Sequence, residues 1–108
     1  MIDLDKYINN SLPVKMFGEE YDILEPTIAM NMQMKEIEKD LTDENLHKKR
    51  LEAGILLLNH NKQGKKFTEN ELAQLPFEAL TRVIAEIALL RLKADQDPNS
   101  GSRSPMEK

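Results

Sequence analysis

The 108-residue chain has no cysteine and no tryptophan, and only 5% of its residues are aromatic. Without cysteine there is no disulfide framework, no thiolate metal site and no cysteine nucleophile, so the chemistry of small secreted scaffolds is excluded. Long apolar runs are missing too: none is longer than Ile55-Leu56-Leu57-Leu58, against the roughly 20 residues a membrane-spanning helix requires. The opening MIDLDKYINN carries acids and a single lysine before any apolar stretch, unlike a secretory leader. The expectation is a soluble, intracellular chain with no membrane partner. Positive charge is also scarce, since 15 Lys+Arg against 19 Asp+Glu give a formal charge of −4. That balance disfavours a phosphate-driven nucleic-acid binder, and the few aromatics leave little on which bases would stack.

The length fits one small domain. A globule of about 100 residues has a radius of gyration near 13 Å, with one modest core and little room for a deep substrate cavity. No enzymatic activity and no cofactor are expected.

The periodicity that is present reads as α+β, predominantly helical, with a hairpin first and three to four helices after. In LPVKMFGEEYDIL, residues 12–24, Val14 and Met16 alternate with Lys15, and Tyr21 and Ile23 alternate with Glu20 and Asp22. This is strand spacing on both sides of Gly18, which predicts a hairpin turning near Gly18-Glu19. A lone hairpin is marginal in water, so its Val14/Met16/Tyr21/Ile23 face must lie on the helices that follow. Pro26 ends the ladder and Thr27 caps a helix over about 28–41, with Met30, Met34, Ile37 and Leu41 on one face. Thr42-Asp43 offers a cap for a second helix over 43–59, in which Gly54 costs about 1 kcal/mol relative to Ala unless a neighbour packs closely there. The polar stretch from Asn59 to Lys66 reads as a mobile basic loop. Thr68-Glu69-Asn70-Glu71 is a capping-box pattern for a short helix over 69–74. Pro76 then opens a helix over 77–94 with a broad stripe of Phe77, Leu80, Val83, Ile84, Ile87 and Leu90. Residues 1–11 form an N-terminal segment, 12–94 the domain, and the Pro/Ser/Gly/Asp-rich residues 95–108 a disordered tail.

Catalytic and metal chemistry finds no foothold. Glu44-x-x-His47 has the carboxylate and imidazole spacing of di-iron bundles, but those sites use two copies and this chain has one. His60 stands without a second ligand at metal-binding spacing, so no metal site is expected. No phosphate-binding glycine loop and no nucleophile elbow occur. The clusters Lys48-Lys49-Arg50 and Lys62/Lys65/Lys66 read first as solvated surface.

The informative composition is methionine. Met30, Met32 and Met34 sit close together, and methionine both fills irregular cores and lines adaptable surfaces that accept varied apolar helices. On a helix Met30 and Met34 point together, while Met32 is turned about 160–200° away and is exposed or interfacial. The last helix has a similar apolar excess, which self-association or a partner helix would cover. The candidate partner-binding residues are therefore Met30, Met32, Met34 and Ile37 with Ile84, Ile87 and Leu90.

The order of features resembles a known family. The strand-Gly-strand opening with Pro-Thr and a helix, VKMFGEEYDILEPT, resembles the start of the short tail assembly chaperones of long-tailed, siphovirus-like phages and prophages. The following apolar helix, the Gly/Lys loop, the T-x-x-E-L-x-x-L-P punctuation from Thr68 to Pro76 and the long helix with a polar tail extend the likeness over roughly residues 12–94. The resemblance implies a non-enzymatic role in the host cytoplasm. Such a protein coats the tape measure protein before tail-tube protein polymerises around it, then leaves the particle before the virion matures. It also implies that many relatives exist in a longer form made by programmed frameshifting, with a second domain that engages tube subunits. Two rival functions remain open on the residues: a structural phage subunit at the head-tail joint or tail terminus, and a small helix-turn-helix regulator.

Overall fold

The computed structural model describes residues 1–90. The expected last turns at 91–94 and the tail from 95 lie outside the described residues. Within them the order is α1 (Asp5–Ile8), β1 (Ser11–Met16), β2 (Glu19–Leu24), α2 (Ile28–Glu38), α3 (Leu46–Leu58), α4 (Glu69–Leu72) and α5 (Phe77–Ala88). The fold is α+β and predominantly helical, with the hairpin ahead of the main helices.

Strands β1 and β2 pair antiparallel from Ser11 opposite Leu24 to Met16 opposite Glu19. That register leaves a two-residue loop of Phe17 and Gly18, one position earlier than the spacing predicts. Both residues have positive φ, 54° and 83°, as a loop matching the right-handed strand twist demands. Gly18 takes this conformation without steric cost, whereas Phe17 is held in it by the register and leaves its ring 56% exposed. Met16 and Ile23 are buried, and Leu12, Val14 and Tyr21 pack on the core from the same face.

The stretch expected to be a mobile loop is instead fastened to the hairpin. Asn61 forms a bridge with Ile23, while Leu24 N–H donates to His60 C=O at 2.8 Å and Lys62 N–H to Asp22 C=O at 3.0 Å. Asn61 is buried and its amide organises the bend. Nδ2 donates to the carbonyls of Leu58 (2.7 Å) and Lys65 (2.9 Å), and Oδ1 accepts from Lys65 N–H at 2.9 Å. Asn59 Oδ1 accepts from Phe67 N–H at 2.6 Å. A stretch without apolar periodicity is thereby ordered by amide side chains that satisfy backbone groups.

Helix α3 packs against α2, α4 and α5. It contributes Ala53, Gly54, Leu57 and Leu58 to the interior. A Cβ on Gly54 would stand 2.8 Å from Leu80 Cδ1 and 3.4 Å from Leu72 Cδ1, so the missing side chain lets these leucines close on α3. The helix starts at Leu46, three residues later than expected. Thr42 and Asn45 exchange hydrogen bonds, Thr42 N–H to Asn45 Oδ1 at 2.8 Å and Asn45 N–H to Thr42 Oγ1 at 3.2 Å, which closes a turn ahead of the helix. Helix α4 carries the capping box: Glu71 N–H donates to Thr68 Oγ1 at 3.1 Å, and Thr68 N–H to Glu71 Oε1 at 2.8 Å. The staple positions on either side, Phe67 and Leu72, are both buried.

The N-terminal segment also holds a single turn of helix, α1, which spacing did not indicate. The adjoining Asn10 ties the two ends of the domain together. Its Nδ2 donates to Leu90 C=O at 2.6 Å and to Glu25 Oε1 at 3.3 Å, and its C=O accepts from Glu25 N–H at 3.1 Å. The largest fully buried side chains are Ile23 of the hairpin, Leu58 of α3, Leu72 of α4, Ile87 of α5 and Leu90 just beyond it.

Candidate functional site

Helix α2 is set off from the hairpin by Pro26 and capped by Thr27, whose Oγ1 accepts from Met30 N–H at 3.1 Å. It ends at Glu38 rather than 41, because Lys39 is extended and Asp40 takes φ 59°. The backbone carbonyls just past that break are taken by α3 and the residue that precedes it: Lys49 Nζ donates to Lys39 C=O at 2.6 Å and Asn45 Nδ2 to Asp40 C=O at 3.1 Å. Leu41 therefore leaves the helix face on which spacing put it and is 44% exposed.

No residue of α2 is fully buried. Met30, Met34 and Ile37 are half-buried against the core, while Ile28 and Met32 are 81% and 65% exposed. The two exposed side chains are four residues apart and stack along one outer stripe. They leave an unbranched, polarisable side chain and a β-branched one open to whatever docks there. Ile28 carries this stripe as much as Met32 does. The signal that points to it is the i,i+4 spacing outward of the Met30/Met34 face.

Ile84, Ile87 and Leu90, expected among the contact residues, lie in the core. They are 9%, 1% and 1% exposed. The stripe of α5 is wide, but α3 covers it through the approach that Gly54 permits, and Asn10 closes its end over the Leu90 carbonyl. Among the described residues at that end, Leu89 is the large apolar side chain left open, 53% exposed.

Three members of the basic clusters, Lys49, Arg50 and Lys65, make side-chain contacts. Lys65 pairs with Glu71 at 3.1 Å and stands over the Phe67 ring, Lys49 closes α2, and the Arg50 guanidinium lies 5.7 Å from the Phe77 ring centroid. The Thr68 N–H and the Lys65 ammonium hold the Glu71 carboxyl below its usual range. His47 contacts Phe77 with ring centroids 4.9 Å apart, so the Glu44-x-x-His47 spacing leads to an aromatic contact. Among the described residues no group of three or more His, Asp or Glu is placed to hold a metal ion, and no helix is long and apolar enough to cross a membrane. The exposed side of α5 offers Glu78, Arg82 and Glu86, the latter two paired at 3.3 Å, which is a poor surface for a DNA groove.

No family model, no curated protein and no solved structure matches the chain.

Proposed function

We propose that this protein is a non-enzymatic assembly chaperone for the tail of a long-tailed phage, which binds the tape measure protein through the outer face of α2 and works in the host cytoplasm. The supporting observation is the stripe of Ile28 and Met32 beside half-buried Met30, Met34 and Ile37 on a helix that buries no residue completely. Such a face suits a long amphipathic helix of variable sequence, because methionine side chains repack around different apolar contours at little cost. The Pro-Thr entry to α2 and the capped punctuation from Thr68 to Pro76, both part of the family likeness, here set the limits of α2 and of the α4/α5 junction.

The test is co-expression of the tagged chain with a tape measure protein, with immunoblots of cells and purified particles. Co-elution that Met32→Asp abolishes, together with absence from particles, is the expected result. Incorporation of the chain into particles without tape measure binding would replace this reading with that of a structural subunit. Salt-sensitive DNA retention without protein partners would favour a regulator.

A further inference from the structure

Away from the outer stripe of α2, the α3/α4/α5 junction holds a second feature of different chemistry. A cavity of about 170 Å³ opens there between His47, Arg50 and Leu51 of α3, Leu72, Ala73 and Leu75 around α4, and Phe77 and Leu80 of α5. Its walls are apolar apart from His47 and Arg50, and no carboxylate lines it. Arg50 has no ion-pair partner among the described residues, and its Nε is buried without a hydrogen-bond acceptor. A buried guanidinium donor left unmatched is costly, so an acceptor arriving with a ligand would meet a group already desolvated. Both polar side chains gather on one ring, His47 at 4.9 Å and Arg50 at 5.7 Å from Phe77. That places the donors at the edge of the apolar space.

The size selects among ligands. Pockets for whole small molecules occupy about 300–1,000 Å³, whereas an apolar cavity of about 150 Å³ holds one benzene-sized group. This cavity therefore fits a single phenyl or leucyl side chain. From these dimensions and the one-signed lining we infer that the pocket is an anchor site for an acidic amphipathic segment of a partner protein, seating one Phe or Leu side chain while a neighbouring carboxylate pairs with Arg50. The inference does not depend on the phage reading, since none of the residues of α2 lines the pocket.

The probe is N-acetyl-Phe-Glu-amide, titrated into the full chain and followed by amide chemical shifts. The controls are N-acetyl-Phe-Gln-amide and N-acetyl-Ala-Glu-amide. Saturable shifts confined to residues 47–51 and 72–80 are expected, weakened about fivefold by the Gln probe and absent with the Ala probe. Arg50→Gln should bring the Glu and Gln probes to equal affinity, and Arg50→Lys should restore part of the difference. If Arg50→Gln does not fold, Ala73→Leu, at an exposed position on the rim, should block both Phe probes while leaving the fold intact. Equal binding of the Glu and Gln probes by the natural chain, or shifts scattered over the surface, would overturn the inference. So would concentration-dependent shifts at the same amides without any probe, because they would mean that a second copy covers the pocket.

Discussion

Helices α2 and α5 are nearly equal in length, 11 and 12 residues, and both carry abundant apolar side chains. Yet α5 buries Leu80, Ile84 and Ile87, while α2 buries nothing completely. The difference lies in spacing. Along α5 the apolar residues recur at three and four, so they converge on one broad stripe that α3 covers. Along α2 they recur at two, as Ile28, Met30, Met32 and Met34, a strand-like interval that on a helix sends successive side chains to opposite sides. The same apolar content thus yields a core helix in one place and a half-covered helix in the other.

Substitutions that cross this divide should separate sharply. Ile87→Ala removes a side chain only 1% exposed and should cost about 2–5 kcal/mol in urea unfolding. A cost below about 0.5 kcal/mol, the usual range for surface changes, would mean that α5 is not the covered helix. Asn61→Ala strips three hydrogen bonds from the bend that joins α3 to the hairpin, and should lower stability by about 1–3 kcal/mol. Its hydrogen-exchange signature should be faster exchange at Leu24 and Lys62, whose amides bond across that junction. Thr68→Ala removes the cap of α4 and should cost about 1 kcal/mol, read from the thermal midpoint.

The capping box also makes a pH prediction. The folded carboxyl of Glu71 titrates below its usual range, so the folded state favours its charged form relative to the unfolded chain. Its contribution is fully present above the unfolded pKa and is lost as pH falls through the folded one. A Glu71→Gln variant should therefore show a flatter acid limb in its stability profile, and an unchanged limb would contradict the assignment. Smallest of all should be the stability effect of Met32→Asp, within about 0.5 kcal/mol, because that side chain is already 65% exposed.

Much of this arrangement is legible in the residues. Alternation around Gly18 gives the hairpin and its buried face, and Thr-x-x-Glu at 68–71 gives the capping box. The three-and-four spacing from Phe77 gives α5, because each of these signals is local and repeats with the period of the element it forms. What spacing cannot supply is who covers whom. Nothing local shows that Gly54 lets Leu80 approach α3, so Ile84, Ile87 and Leu90 read as surplus apolar surface when they are core. Nor does a polar run such as 59–66 advertise that Asn59 and Asn61 will spend their amides on backbone groups, since those partners are fixed only once α3 and the hairpin meet. The shift of helix ends at Glu38 and Leu46 has the same origin, in bonds between Lys39, Asp40, Thr42, Asn45 and Lys49 that belong to the junction rather than to either helix. Of the candidate contact face, Met32 is legible from the two-residue interval alone, while Ile28 becomes visible only when the outer stripe is traced back by one turn.

The proposed function requires a partner that covers α2. The direct measurement is amide hydrogen exchange of the full chain, free and mixed with a tape measure protein. Slower exchange across Ile28–Glu38, with the β1/β2 amides unchanged, is the predicted result. Protection confined to the hairpin, or no change anywhere in the presence of saturating tape measure protein, would contradict it.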